Sequence, residues 1–134
     1  MAPSKQQAFP LLNEADIVHG RQAVRKWAAE LAFSLVDQTK LVTAASELAR
    51  NTLIYGKGGE MRMSVVENGA RRGIELIFED HGPGIPDLAL ALQDGYTTGS
   101  GMGLGLSGAK RLSNEFEIVS RVGEGTKITI RRWK

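Results

Sequence analysis

Cysteine is absent from this chain. That excludes a disulfide frame, a thiolate zinc site and a cysteine nucleophile, and it fits a reducing compartment. Aromatic residues make up only 6% of the 134 residues, and there are two histidines. Neither sign of charge dominates: Lys+Arg is 17 and Asp+Glu is 15. A nucleic-acid binder ordinarily concentrates basic residues on one face, so a net charge of +2 lends that class little support. Lys127, Arg131, Arg132 and Lys134 do gather near the C-terminus, and they read as a solvated strand edge. The longest purely apolar run is Leu88 to Leu92, far below the ~20 residues that span a bilayer. No apolar signal segment stands at the N-terminus. The expectation is one domain over residues 1–134 in a cytoplasmic protein, with no membrane and no nucleic acid among its partners.

Glycine is abundant. There are 16 in the chain, and eight of them fall between Gly82 and Gly108. Such clustering excludes a collagen-like or uniformly low-complexity chain. It marks one stretch of backbone that bends sharply or comes close to something.

Periodicity places the elements. Residues 9–18 hold a short strand, which Pro10 confines to a sheet edge. From Asp16 the period is helical, with Ile17, Val24, Trp27, Ala28, Leu31 and Leu35 on one face. Asp37 is placed to cap a second helix whose stripe is Leu41, Ala45, Leu48, Thr52 and Tyr55. Gly56, Gly58 and Gly59 end it. The period then falls to two. Met61, Met63 and Val65 lead through Asn68-Gly69 to Ile74, Leu76 and Phe78, a hairpin. Phe116, Ile118 and Ser120 lead through Gly123-Glu124-Gly125 to Ile128 and Ile130, a second hairpin. Between them lies the glycine-rich insert, with a short helix from about Leu104 to Ser113. The predicted fold is an α+β two-layer sandwich, a mixed and mostly antiparallel sheet covered on one face by helices. An insert of that length is characteristic of a binding loop or lid.

Three constellations carry chemistry, each with a plainer alternative. Gly101-Met102-Gly103-Leu104-Gly105 leaves backbone N–H groups unshielded just before a helix, which suits phosphate; it also suits a flexible hinge. No Gly-Lys-Ser/Thr follows, so it is not a Walker loop. Asp80-His81-Gly82-Pro83-Gly84 follows a strand, where a carboxylate could accept a hydrogen bond from an exocyclic amine; an Asx turn before proline reads equally well. Glu47 and Asn51 share a helix face four residues apart. A carboxylate there could take a hydroxyl proton and an amide oxygen could hold Mg²⁺. A solvated helix face is the plainer reading. Arg50 could touch a phosphate or a partner, or form a surface salt bridge, and His19 is expected to face solvent.

Taken together, Glu-x-x-x-Asn, Asp-x-Gly-x-Gly, Gly-x-Gly-x-Gly and a closing Gly125-Thr126 resemble the GHKL superfamily, whose members bind ATP and Mg²⁺ in the Bergerat fold. Ser46 to Asn51, Asp94 to Gly99, Gly101 to Leu112 and the terminal Gly-Glu-Gly-Thr segment are further similar to the RsbT-like serine/threonine kinases of bacterial stress signalling. By that resemblance Glu47 is the general base and Asn51 the Mg²⁺ ligand. Asp80 contacts the adenine amine, with Gly82 and Gly84 beside the base. Thr98, Gly99, Gly101, Met102, Gly103, Leu104 and Gly105 wrap the phosphates from a lid over Tyr96 to Ser100, and Thr126 backs the adenine. The family implies ATP and Mg²⁺ as cofactors and STAS-domain stressosome proteins as substrates. A metal-dependent serine phosphatase is implied as the partner activated on release. An anti-sigma factor that uses ATP as a switch ligand is the alternative of the same fold.

Overall fold

The computed structural model describes residues 5–93 and 106–134. In chain order these form β1 (Lys5–Leu11), α1 (Glu14–Glu30), α2 (Leu35–Ile54), β2 (Gly59–Asn68) and β3 (Arg71–Asp80). Then follow α3 (Leu88–Ala91), α4 (Leu106–Arg111), β4 (Glu115–Arg121) and β5 (Gly125–Trp133). The strands make one sheet in the order β1-β2-β3-β5-β4. Every pairing in it is antiparallel, so no parallel component of the expected mixed sheet is present among the described residues. The β1 strand with Pro10 does lie at an edge, where proline's missing N–H costs no ladder bond.

Register explains the layering. Met63, Leu76 and Ile130 lie in one cross-strand row, and Met61, Phe78, Ile128 and Ile118 in the next. That face carries the buried core together with Val24, Trp27, Ala28, Leu41, Ala45 and Leu48 of the two long helices. The opposite face is polar, and its charges interlock. Arg131 sits directly opposite Glu75 on one side and Glu115 on the other, with contacts of 2.7 and 2.9 Å. Arg62 bridges Glu60 at 3.3 Å and Glu79 at 3.1 Å. The C-terminal basic group is therefore no solvated edge. The β5 strand is internal, between β3 and β4, and its arginines are held by carboxylates of other elements.

The turn between the long helices also differs from expectation. The α1 helix ends at Glu30, and Ala32 adopts φ 63°. Its N–H reaches Ala29 O at 2.9 Å, while Phe33 N–H reaches Ala28 O at 3.0 Å. This pair of bonds is the left-handed helix stop usually made with glycine. Ser34, not Asp37, caps α2: its hydroxyl accepts Asp37 N–H at 3.1 Å. Leu35 thus begins the second helix, exposed, and does not extend the first helix's apolar stripe. The α4 helix begins at Leu106 among the described residues, and Leu106 and Ala109 face the core.

Candidate active site

The last residues of β3 and β4 and the first residues of β5 meet on the helix-covered side. Register pairs Gly59 with Asp80, Asp80 with Thr126, and Thr126 with Ser120. These positions continue the face that Phe78, Ile128 and Ile118 fill further along. At this end of the sheet polar groups replace the hydrocarbon. Asp80 is 6% exposed and Thr126 8%.

Hydrogen bonds fix the carboxylate. Asp80 Oδ1 accepts Gly82 N–H at 2.9 Å and Thr126 N–H at 3.3 Å. The first is the Asx turn that the sequence allows. Asp80 Oδ2 accepts no hydrogen bond among the described residues and lies against Gly56. The carboxylate has no ion-pair partner there either. Ser120 supports the row from β4. Its Oγ accepts Ile85 N–H at 2.7 Å and lies 2.8 Å from Thr126 Oγ1.

The glycines here serve close backbone approach. A Cβ on Gly56 would overlap the Asp80 carboxylate, and a Cβ on Gly82 would meet the Gly56 carbonyl at 2.5 Å. Both distances are below what nonbonded carbon tolerates. Residues with side chains would push the end of α2 away from the loop after β3. Gly84, at φ 77°, packs against the backbone of Arg121 and Val122, and Pro83 O accepts Gly123 N–H at 2.8 Å. The loop is thereby tied to the β4–β5 turn.

The α2 helix delivers its residues to the same place. Asn51 is in its last turn, where its carbonyl accepts Tyr55 N–H at 2.9 Å and Gly56 N–H at 3.1 Å. Gly56 in turn contacts Asp80, so Asn51 and Asp80 are joined through one residue. Glu47, one turn earlier, is exposed. Arg50 forms the surface salt bridge, 3.2 Å from Glu14. His19 is exposed, with only an edge contact to Phe9. Thr98, Gly99, Gly101, Met102, Gly103, Leu104 and Gly105 lie outside the described residues.

Sequence reasoning missed Ser120 and Gly56 as parts of the site. A signal for Ser120 existed: it stands at a core-face register position after Phe116 and Ile118, where a hydroxyl needs partners. Gly56 reads as a helix terminator, and only the fold shows what its missing side chain admits. A recess of about 250 Å³ lined by Glu79, Val119 and Lys127 opens behind Asp80. Asp80, His81, Gly125 and Thr126 line it as well, so it borders the site.

The donor set suits a nucleotide with magnesium. A buried carboxylate with one unbonded oxygen fits an exocyclic amine. No group of three or more His, Cys, Asp or Glu that could cage a metal occurs among the described residues. Mg²⁺ bound through one protein oxygen, phosphates and water needs no such cage.

A family model described as histidine kinase-, DNA gyrase B- and HSP90-like ATPase matches residues 36–134. The chain belongs to that ATPase family, and within it to the RsbT-like serine/threonine-protein kinases. It is 44% identical to serine/threonine-protein kinase RsbT of Bacillus subtilis over 128 residues, 96% of each chain. It is 30% identical to an anti-sigma F factor of Anoxybacillus flavithermus, over 82% of this chain and 79% of that one. Among solved structures, the RsbU and RsbW domains of a Mycobacterium tuberculosis protein align over 99% of this chain, with TM-score 0.64 and 20% identity. This chain spans 34% of that longer one. The catalytic domain of histidine kinase ThkA aligns with TM-score 0.54 and 14% identity, over 96% of this chain and 95% of that one. Both likenesses are of fold. No described helix is long and apolar enough to cross a membrane.

Proposed function

We propose that this protein is an ATP- and Mg²⁺-dependent kinase, a single domain over residues 1–134, that phosphorylates serine on STAS-domain partners of a stressosome. Released from them, it binds and activates a metal-dependent serine phosphatase. The observation that carries this reading is 44% identity across nearly the whole of a serine/threonine kinase, joined to an adenine-competent carboxylate at Asp80. Asp80 Oδ2 accepts the adenine amine, with Gly82, Gly84 and Thr126 around the base. Asn51 would hold Mg²⁺, and the ion when bound would supply charge neutralisation on the phosphates. Residues 98–105 bind the phosphates. The partner's serine oxygen bonds to the γ-phosphorus, the bond to the β–γ bridging oxygen breaks, and Glu47 accepts the hydroxyl proton.

The test is incubation with labelled ATP and STAS-domain proteins, followed by mapping of the phosphoserine. Asn51→Ala is expected to lower transfer by at least ~100-fold, the scale of a lost charge-stabilising group, with an unchanged melting temperature. Transfer at the normal rate by that variant refutes the magnesium role. The 30% relative favours a second reading, an anti-sigma factor switched by nucleotide. Capture of a sigma factor with no phosphate transfer to any STAS protein selects it.

A further inference from the structure

A charged residue with no part in the site just described stands at the far end of the apolar face of the sheet. Arg132 follows Ile128 and Ile130 at the same register parity, at the end of β5 opposite Thr126. Its side chain is 12% exposed. Nη2 donates to Asp37 Oδ1 at 2.8 Å, in the first turn of α2. Nη1 donates to Leu112 O at 2.8 Å, the residue just past α4. Its Nε is buried and has no partner among the described residues.

We propose that Arg132 is a positioning residue that sets α4 against α2 and so aligns the two helices that serve the phosphate end of the nucleotide. This rests on the nucleotide reading of the site. The α2 helix runs from Asp37 to Asn51, roughly 20 Å at 1.5 Å per residue. Thr126 to Arg132 along β5 spans about the same length at ~3.3 Å per residue. The guanidinium therefore grips α2 at the end remote from the site. The α4 helix, which directly follows residues 101–105 in the chain, is gripped past its last turn by the same group. A planar fork with several donors suits two acceptors on two elements, where a lysine has one nitrogen to offer.

The energetics favour this role over plain stabilisation. A largely buried cation is costly to desolvate, so its ion pair is weak evidence of a purely stabilising role, although removing one partner alone is destabilising. Adenine recognition by Asp80 and Thr126 is built on strands and does not depend on how α4 sits against α2. The clamp should therefore act on phosphates and not on the base.

The experiment compares ATP·Mg and adenosine binding by calorimetry in the full chain and in Arg132→Met, with melting temperatures alongside. The expected result is ATP affinity lower by about 3- to 10-fold, the usual size of such remote coupling. Adenosine affinity should stay unchanged, while the melting temperature falls because Asp37 and the Leu112 carbonyl lose their donor. Arg132→Lys should recover part of the loss. Equal losses for both ligands, or no loss for ATP, overturn the proposal. Should Arg132→Met fail to fold, Asp37→Ala removes the α2 grip alone, and the same ATP-only loss is required of it. If the unaltered chain binds adenosine but not ATP, the clamp proposal falls while the adenine reading stands. If it binds neither, the nucleotide reading itself has failed.

Discussion

Asp80→Asn separates recognition from folding, because the two side chains share a shape and differ in charge and in one donor. Among the described residues Oδ1 takes two backbone N–H bonds and Oδ2 none. An asparagine oriented with its oxygen at the Oδ1 position keeps both bonds. They weaken, since bonds to charged groups contribute ~1.5–3 kcal/mol and neutral ones ~0.5–1.5 kcal/mol. Relief from burying an unpaired carboxylate works the other way. The net stability change should stay within about 1 kcal/mol. Binding changes more. The asparagine NH₂ now occupies the Oδ2 position and faces the adenine amine, donor against donor. Flipping the amide only moves that conflict onto Gly82 N–H and Thr126 N–H. Loss of one charge-assisted bond, ~1.5–3 kcal/mol, at 1.4 kcal/mol per decade predicts ATP affinity lower by about 10- to 100-fold. An inosine nucleotide, with a 6-oxo acceptor in place of the amine, should lose much less, so the preference for adenine narrows. Calorimetry with both nucleotides reads this directly. ATP affinity within twofold of the unaltered protein, with a normal melting temperature, refutes the assignment of Oδ2.

Two further predictions concern stability. Ala32→Gly should stabilise the protein by about 0.5–1 kcal/mol in urea unfolding, because a left-handed alanine costs ~1–2 kcal/mol and glycine's greater unfolded freedom cancels only part of the relief; a lower midpoint would contradict the left-handed helix stop. Asp37 is held below its ordinary pKa of 3.8 chiefly by the Arg132 hydrogen bond, and Glu115 below 4.5 chiefly by the Trp133 indole N–H. Folded carboxylates with depressed pKa values contribute stability above the unfolded values, and lose it as pH falls through the folded ones. Urea midpoints should therefore fall below about pH 4, and Asp37→Asn with Glu115→Gln should flatten that fall.

The local pattern shows where a fold is legible in sequence. Period-two alternation and Asn68-Gly69 specify the β2–β3 hairpin from residues that are neighbours in the chain, and the structure forms it. The stripe Leu41, Ala45, Leu48 and Thr52 is buried as the 3.6 period requires. What escaped depends on partners far along the chain. Nothing near Arg131 in sequence shows that Glu75 and Glu115 will flank it, so a basic C-terminal run reads as an edge. Asp37 reads as a cap because caps are local, yet its carboxylate is committed to Arg132, 95 residues away. The site divides in the same way. Asp80, Gly82 and Thr126 are visible as motifs, whereas Ser120 and Gly56 become site residues only when β4 and the end of α2 arrive beside them.

That division bears on which of the two functions the protein performs. Every residue proposed to hold the adenine lies among the described residues. Asp80, Gly82, Thr126, Ser120 and Ile85 bond to one another across three strands and a loop, and they would hold a base in a kinase or in a nucleotide-switched binder alike. Phosphoryl transfer asks for more: Glu47 and Asn51 on α2 must stand in a fixed relation to the phosphates. The contacts around Asp80 do not by themselves set that relation. Nucleotide affinity therefore cannot separate the kinase from the anti-sigma reading, since both need the base held. The measurement that separates them is transfer of label to a partner serine, with Glu47→Gln as the control. That substitution should leave ATP affinity intact and remove transfer if the carboxylate accepts the hydroxyl proton. In a binder that uses ATP only as a switch ligand it should change neither nucleotide affinity nor partner capture.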